Sequence, residues 1–121
     1  MPITDLPGHE EVFAKFAKCG FSDFNELQQL NLDTYYEEDR ERFEKQLTII
    51  LKGQRGLIEL SFGNVSGFRL SDIFQIIGFD VKNIRKDGLE EKHYKISDYE
   101  NGTIEGYAEN AKISVCDNPY V

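Results

Sequence analysis

His9, His93, Cys19 and Cys116 are the residues of this sequence whose types most often ligate metals or act as nucleophiles, and their spacing argues against both uses. The histidines are separated by most of the chain, and neither has a Cys or His at a ligand spacing. His9, beside Glu10 and Glu11, falls on the polar side of an expected helix; His93, between Lys92 and Tyr94, falls at an outward strand position. Cys19 precedes Gly20 at an expected helix stop and Cys116 ends an apolar strand, so both read as free, mostly buried thiols. The chain carries 22 Asp and Glu residues, enough that some pairs must lie close, so proximity alone singles out no acid–base couple. The expectation is a protein that is not an enzyme, with no catalytic residues, no metal site and no cofactor.

One segment has a partial phosphate-binding pattern. GNVSGFRLSD places Gly63 and Gly67 before a possible helix start but lacks the spacing of the common nucleotide fingerprints. The glycines serve equally well to let a strand bend. A small enzyme or small-molecule-binding protein, with its site at the Gly63 to Ser71 bend between Arg69 and Asp72, is the alternative function.

Charge points elsewhere. YYEEDRERFEK, Tyr35 to Lys45, sets five carboxylates among three cations between two apolar strands. Residues 89–121 are also acidic, whereas 53–86 carry a small positive excess. The expected acidic surface therefore joins Tyr35, Tyr36, Glu37, Glu38, Asp39 and Glu41 to Asp98, Tyr99, Glu100, Glu105, Tyr107 and Glu109 on a late hairpin. Carboxylates there speed encounter with a cationic protein, and tyrosines supply anchors for a desolvated contact. Charged edges that discourage strand-to-strand aggregation are the plainer account of the same pattern.

With 121 residues the chain is the size of one domain, and nine Phe and six Tyr provide large groups for a single core. A formal charge of -8 disfavours nucleic acid, whose phosphates would be repelled before any base contact formed. No signal-like apolar run and no uncharged stretch of roughly 20 residues is present, so no membrane association and a cytoplasmic location are expected.

These residues must be positioned by an α+β fold. Val12, Phe13, Phe16 and Ala17 recur at helical spacing, predicting an amphipathic helix from about Pro7 to Lys18, capped by Asp5 and stopped by Gly20. The period then falls to two. KQLTIILK and LIELSF, joined by the Gly53 to Gly56 turn, predict an antiparallel hairpin with Leu47, Ile49, Leu51, Ile58, Leu60 and Phe62 on one face. Asp72 to Ile77 has the apolar density of a short second helix. FDVKNIRK and KHYKISDY read as further strands, and Asn101-Gly102 is a strong hairpin turn. TIEGYAENAKISV reads as one long or bulged strand with Ile104, Ile113 and Val115 inward. The expected architecture is a mainly antiparallel sheet with the two helices packed on it, in one domain over residues 1–121.

The order of these pieces, Phe21-Ser22-Asp23, QLTIILKG, GLIELSFGNV, RLSDI and YKISDYENGTIEGYAENAKISV, resembles small bacterial immunity proteins of polymorphic-toxin and contact-dependent growth inhibition systems. Ser22 stands where that group commonly has His, which removes any metal or acid–base role at that position. The resemblance implies a stoichiometric inhibitor of a cognate protein toxin domain, often a nuclease, whose phosphate-binding cations an acidic surface would complement. Homodimer formation through an exposed strand is a third expectation.

Overall fold

The computed structural model describes residues 3, 6–71, 78–98 and 104–116. The fold is α+β; the described residues form one helix, α1 (His9–Phe16), and eight strands: β1 (Glu26–Glu37), β2 (Arg42–Gly53), β3 (Gly56–Gly63), β4 (Ser66–Leu70), β5 (Phe79–Asn83), β6 (Tyr94–Asp98), β7 (Ile104–Ala108) and β8 (Asn110–Cys116). They form two antiparallel sheets, β1-β2-β3-β8 and β4-β7-β6-β5. Short 3₁₀ turns occupy Phe21–Asp23 and Arg85–Asp87. The expected helix over Asp72 to Ile77, the Asp5 cap and the Asn101-Gly102 turn lie outside the described residues.

Alternation with period two decides which side chains enter the core. Leu47, Ile49, Leu51, Ile58, Leu60 and Phe62 are buried from the first sheet, and Val81, Tyr94, Ile96 and Ile104 from the second, in one cluster with Val12 and Phe16 of α1. Each such group removed from water contributes on the order of 1.5–3 kcal/mol. Phe16 meets Phe24 edge-on at 5.4 Å between ring centres, tying the helix to the segment that leads into β1.

The helix is shorter than expected. Its N-terminal residue is preceded by Gly8 at φ 96°, and it ends at Ala17, which has a positive φ (58°) with ψ -159°, not at Gly20, which is extended at φ -135°. Gly8 lies so close to β8 that a Cβ there would overlap the carbonyl oxygen of Ile113. The Ile113 amide donates to the Pro7 carbonyl at 2.9 Å, and the Val115 amide donates to the Glu11 carboxylate at 3.4 Å. This contact covers an edge strand that would otherwise be open.

TIEGYAENAKISV is two strands in different sheets, not one. Glu109 alone separates β7 from β8, just as Asn64 and Val65 separate β3 from β4. The two crossings are bonded together by the Glu109 amide, which donates to the Gly63 carbonyl at 3.0 Å, and the first is tied to β2 by the Val65 amide, which donates to the Lys45 carbonyl at 2.9 Å. The alternation changes phase at the crossing: Ile104, Gly106 and Ala108 are buried in β7, but Ala111 and Ile113 in β8, a one-residue shift that a bulge within a single strand would also produce.

Candidate interaction surface

The segment Tyr35 to Lys45 is not a loop. Pairing of β1 with β2 runs without interruption from Gln29 opposite Ile50 to Glu37 opposite Arg42, leaving Glu38 to Glu41 as a four-residue turn. Tyr35, Tyr36 and Phe43 favour a pleated strand, and Glu37 opposite Arg42 adds an attractive cross-strand pair. Glu41 closes the turn with φ 53°.

The two faces of this arm differ. On one, Leu32, Tyr36 and Phe43 continue the face that carries Leu47 and Ile49 into the core, but they are 41%, 51% and 72% exposed. Tyr36 and Phe43 are directly opposite, ring centres 5.2 Å apart and nearly perpendicular. On the other face, Tyr35 donates to Glu44 at 3.0 Å, and Glu44 is buried.

Around Glu44 stands a network of two guanidiniums and three carboxylates. Arg40 reaches Glu44 at 3.0 Å, Glu91 at 3.2 Å and Glu109 at 2.6 and 2.8 Å; Arg42 reaches Glu44 at 2.9 Å and also pairs with Glu91. Asn64 donates to Glu91 and Glu109, each at 3.4 Å. Burial pushes the Glu44 carboxyl up, but hydrogen bonds from Arg42, Tyr35 and Arg40 outweigh it and hold the group below its ordinary range. Hydrogen bonds from Arg40 lower Glu109 likewise, against a smaller effect of burial. Burial and the Glu44 hydrogen bond raise the Tyr35 phenol. The network fastens the arm to the point where the chain changes sheets.

The expected site residues are therefore divided. Tyr36, Glu37, Glu38, Asp39 and Glu41 sit together at the end of the arm; Glu37 accepts from the Asp39 amide at 3.1 Å. Among the described residues, Glu38, Asp39 and Glu41 make no ion pair. Tyr35 and Glu109 are committed to the network. Asp98 is only 2% exposed and accepts from the Gly78 amide at 3.2 Å, so its inward position removes it from any surface. Tyr99 and Glu100 lie outside the described residues.

Glu105 and Tyr107 lie on the outer face of the second sheet, which is not acidic. Glu105 pairs with Arg69, Lys92 sits 4.9 Å from the Tyr107 ring centre, and Lys82 is directly opposite Lys95. Among the described residues, Glu105 and Tyr107 therefore lie apart from the acidic end of the arm. Sequence reasoning also missed Phe43, the most exposed large apolar side chain described. The signal was present in the near-symmetric placement of Tyr36 and Phe43 about EEDRER.

The thiols are free, and Cys19 and Cys116 are half-buried, more open than expected. Burial raises the Cys19 thiol, Asp23 adds to this, and Arg55 acts in the opposite direction. His93 is half-buried ahead of β6, its Nδ1 3.1 Å from the Glu109 carbonyl, and His9 Nδ1 is 3.0 Å from the Leu6 carbonyl. At the Gly63 to Ser71 bend, Arg69 is engaged by Glu105 and Asp72 lies outside the described residues. A cavity of about 360 Å³ is instead lined by Ser22, Asp23, Phe24, Asn25, Gln54 and Arg55.

Among the described residues, no helix is long and apolar enough to cross a membrane, and no group of three or more His, Cys, Asp or Glu is arranged to hold a metal ion. Comparison with protein-family models, curated proteins and solved structures finds no match to this chain.

Proposed function

We propose that this chain is a stoichiometric binding protein that neutralises a cationic protein partner, in the manner of an immunity protein protecting against a bacterial toxin domain. The observation that carries this reading is the exposed Tyr36–Phe43 pair on a braced arm, beside the uncommitted carboxylates of Glu38, Asp39 and Glu41. Two large rings held in water contribute little to the fold of a monomer, whereas at an interface they are the kind of group that carries most of the binding energy. The neighbouring acids steer a positive surface towards them and disfavour neutral ones. A nuclease toxin, which needs cations to hold phosphates, is the partner class this chemistry suits best.

The test starts from the neighbouring gene: where it encodes a large secreted protein with a variable C-terminal domain, that domain is co-expressed with the chain. Restored growth together with a stable complex on sizing is the expected result. Growth arrest that the chain leaves unchanged, with no complex, overturns the proposal.

A further inference from the structure

The two outer strands of the first sheet are treated differently. At β8 the chain spends its own N-terminal segment, with Pro7 and Glu11 accepting backbone amides of Ile113 and Val115. At β1 the described residues supply no equivalent cover: the strand packs substantially only against β2. Every second amide and carbonyl of an outer strand points away from its partner, and a run of this kind is a template for another strand. From Gln29 to Glu37 the pairing is in unbroken register, so the template is about 30 Å long at roughly 3.3 Å per residue.

Charge identifies the occupant. Open edges are commonly guarded by lysine, but ELQQLNLDTYYE has no cation and carries Glu26, Asp33 and Glu37. A second copy pairing along β1 would bring these acids against each other, which is unfavourable across strands; a strand bearing lysine or arginine is attracted instead. Leu32 and Tyr36 on one face of β1 provide exposed apolar positions for alternate side chains of the incoming segment.

We propose that β1 receives an extended, lysine- or arginine-bearing segment of the partner as an added strand. This rests on the reading of the chain as a protein-binding protein and specifies how the partner is held. Backbone pairing supplies affinity and register, while the aromatic pair at the end of the arm supplies the anchor.

The probe is a blocked nine-residue peptide alternating Lys and Val, added to the full chain and followed by NMR and backbone amide exchange. Two controls accompany it: the same peptide N-methylated at alternate residues, and one with Glu for Lys. The expected result is slowed exchange at alternate β1 amides between residues 29 and 37. N-methylation should weaken binding by at least about ten-fold, because several hydrogen bonds worth about 1 kcal/mol each are lost, and the Glu peptide should not bind. Equal binding of the N-methylated peptide overturns strand addition while leaving an acidic docking surface intact. Absence of binding by the Lys peptide overturns strand addition, and the co-expression test then decides the wider reading separately. Protection of β1 that grows with protein concentration, without peptide, overturns the proposal in favour of a second copy.

Discussion

Arg40 grips Glu109 with both arms of its guanidinium, at 2.6 and 2.8 Å, although the residues are 69 positions apart. One is in the turn of the first hairpin and the other is the single residue between β7 and β8. The contact is a two-pronged, charge-assisted one, which fixes direction as well as distance. It ties the aromatic arm to the rest of the domain.

Removing the charge at this joint should free the arm without unfolding the core. In Glu109→Gln, amide exchange should accelerate at residues 33–44 while the Leu47 to Leu51 amides stay protected. Tyr35→Phe removes one hydrogen bond to Glu44 and should cost about 1 kcal/mol in denaturant unfolding.

Acid should dissolve the same network. Glu44 and Glu109 are held below their ordinary range in the folded protein, and an unfolded glutamate titrates near about 4.3. The unfolded state therefore takes up protons first as pH falls. The stabilisation is complete above the unfolded value and is lost as pH drops through the lower folded values. Calorimetry from pH 7 to pH 3 should show a melting temperature that falls below about pH 4.5. The Glu109→Gln curve should start lower and converge with the wild type in acid; parallel curves would count against the assignment.

Gly8 and Gly88 share a left-handed backbone, at φ 96° and 71°, but differ in surroundings. Gly88→Ala meets nothing within 4 Å and should cost only the conformational penalty of about 1–2 kcal/mol. Gly8→Ala adds an overlap with the Ile113 carbonyl and should cost more, with β8 amides losing protection. Equal costs in denaturant unfolding would mean that the helix start does not press on β8.

Phe43→Ser should separate function from fold. At 72% exposure the ring leaves little apolar burial to lose, so stability should fall by no more than about 1 kcal/mol, chiefly from the lost contact with the Tyr36 ring. Partner binding should weaken by at least about ten-fold if this ring is an anchor. Calorimetry of the free protein and titration of the complex measure the two quantities independently.

Lys82 and Lys95 oppose each other across β5 and β6, an unfavourable placement of like charges. Lys82→Glu should stabilise the protein by about 0.2–1 kcal/mol, and raising the salt concentration should shrink the gain. No gain in denaturant unfolding at low salt would mean that the two ammonium groups avoid one another.

The strand that builds most of the core was legible in the sequence because alternation has only one solution in KQLTIILK and LIELSF. Leu47, Ile49, Leu51, Ile58, Leu60 and Phe62 all face inward as their spacing requires. The inward set switches from even positions up to Ala108 to odd positions from Ala111, but a bulge and a change of sheet leave the same mark, so the step at Glu109 was read as a bulge. The helix stop was misplaced because Ala17 takes a positive φ that Gly20, the better-suited residue, does not use. At the candidate site, composition counted carboxylates without their partners. It thus included Glu109, which Arg40 neutralises, and Asp98, which is inside, while passing over Phe43, whose exposure no propensity reveals.

The contact between α1 and β8 has a consequence for synthesis. α1 leaves the ribosome well before β8, the strand it rests against, has been made. Until then β3 has a bare flank and the hydrophobic interior lacks a wall. Fragments that stop before β8 should consequently leave Val12 and Phe16 without their full cover and should depend on chaperones.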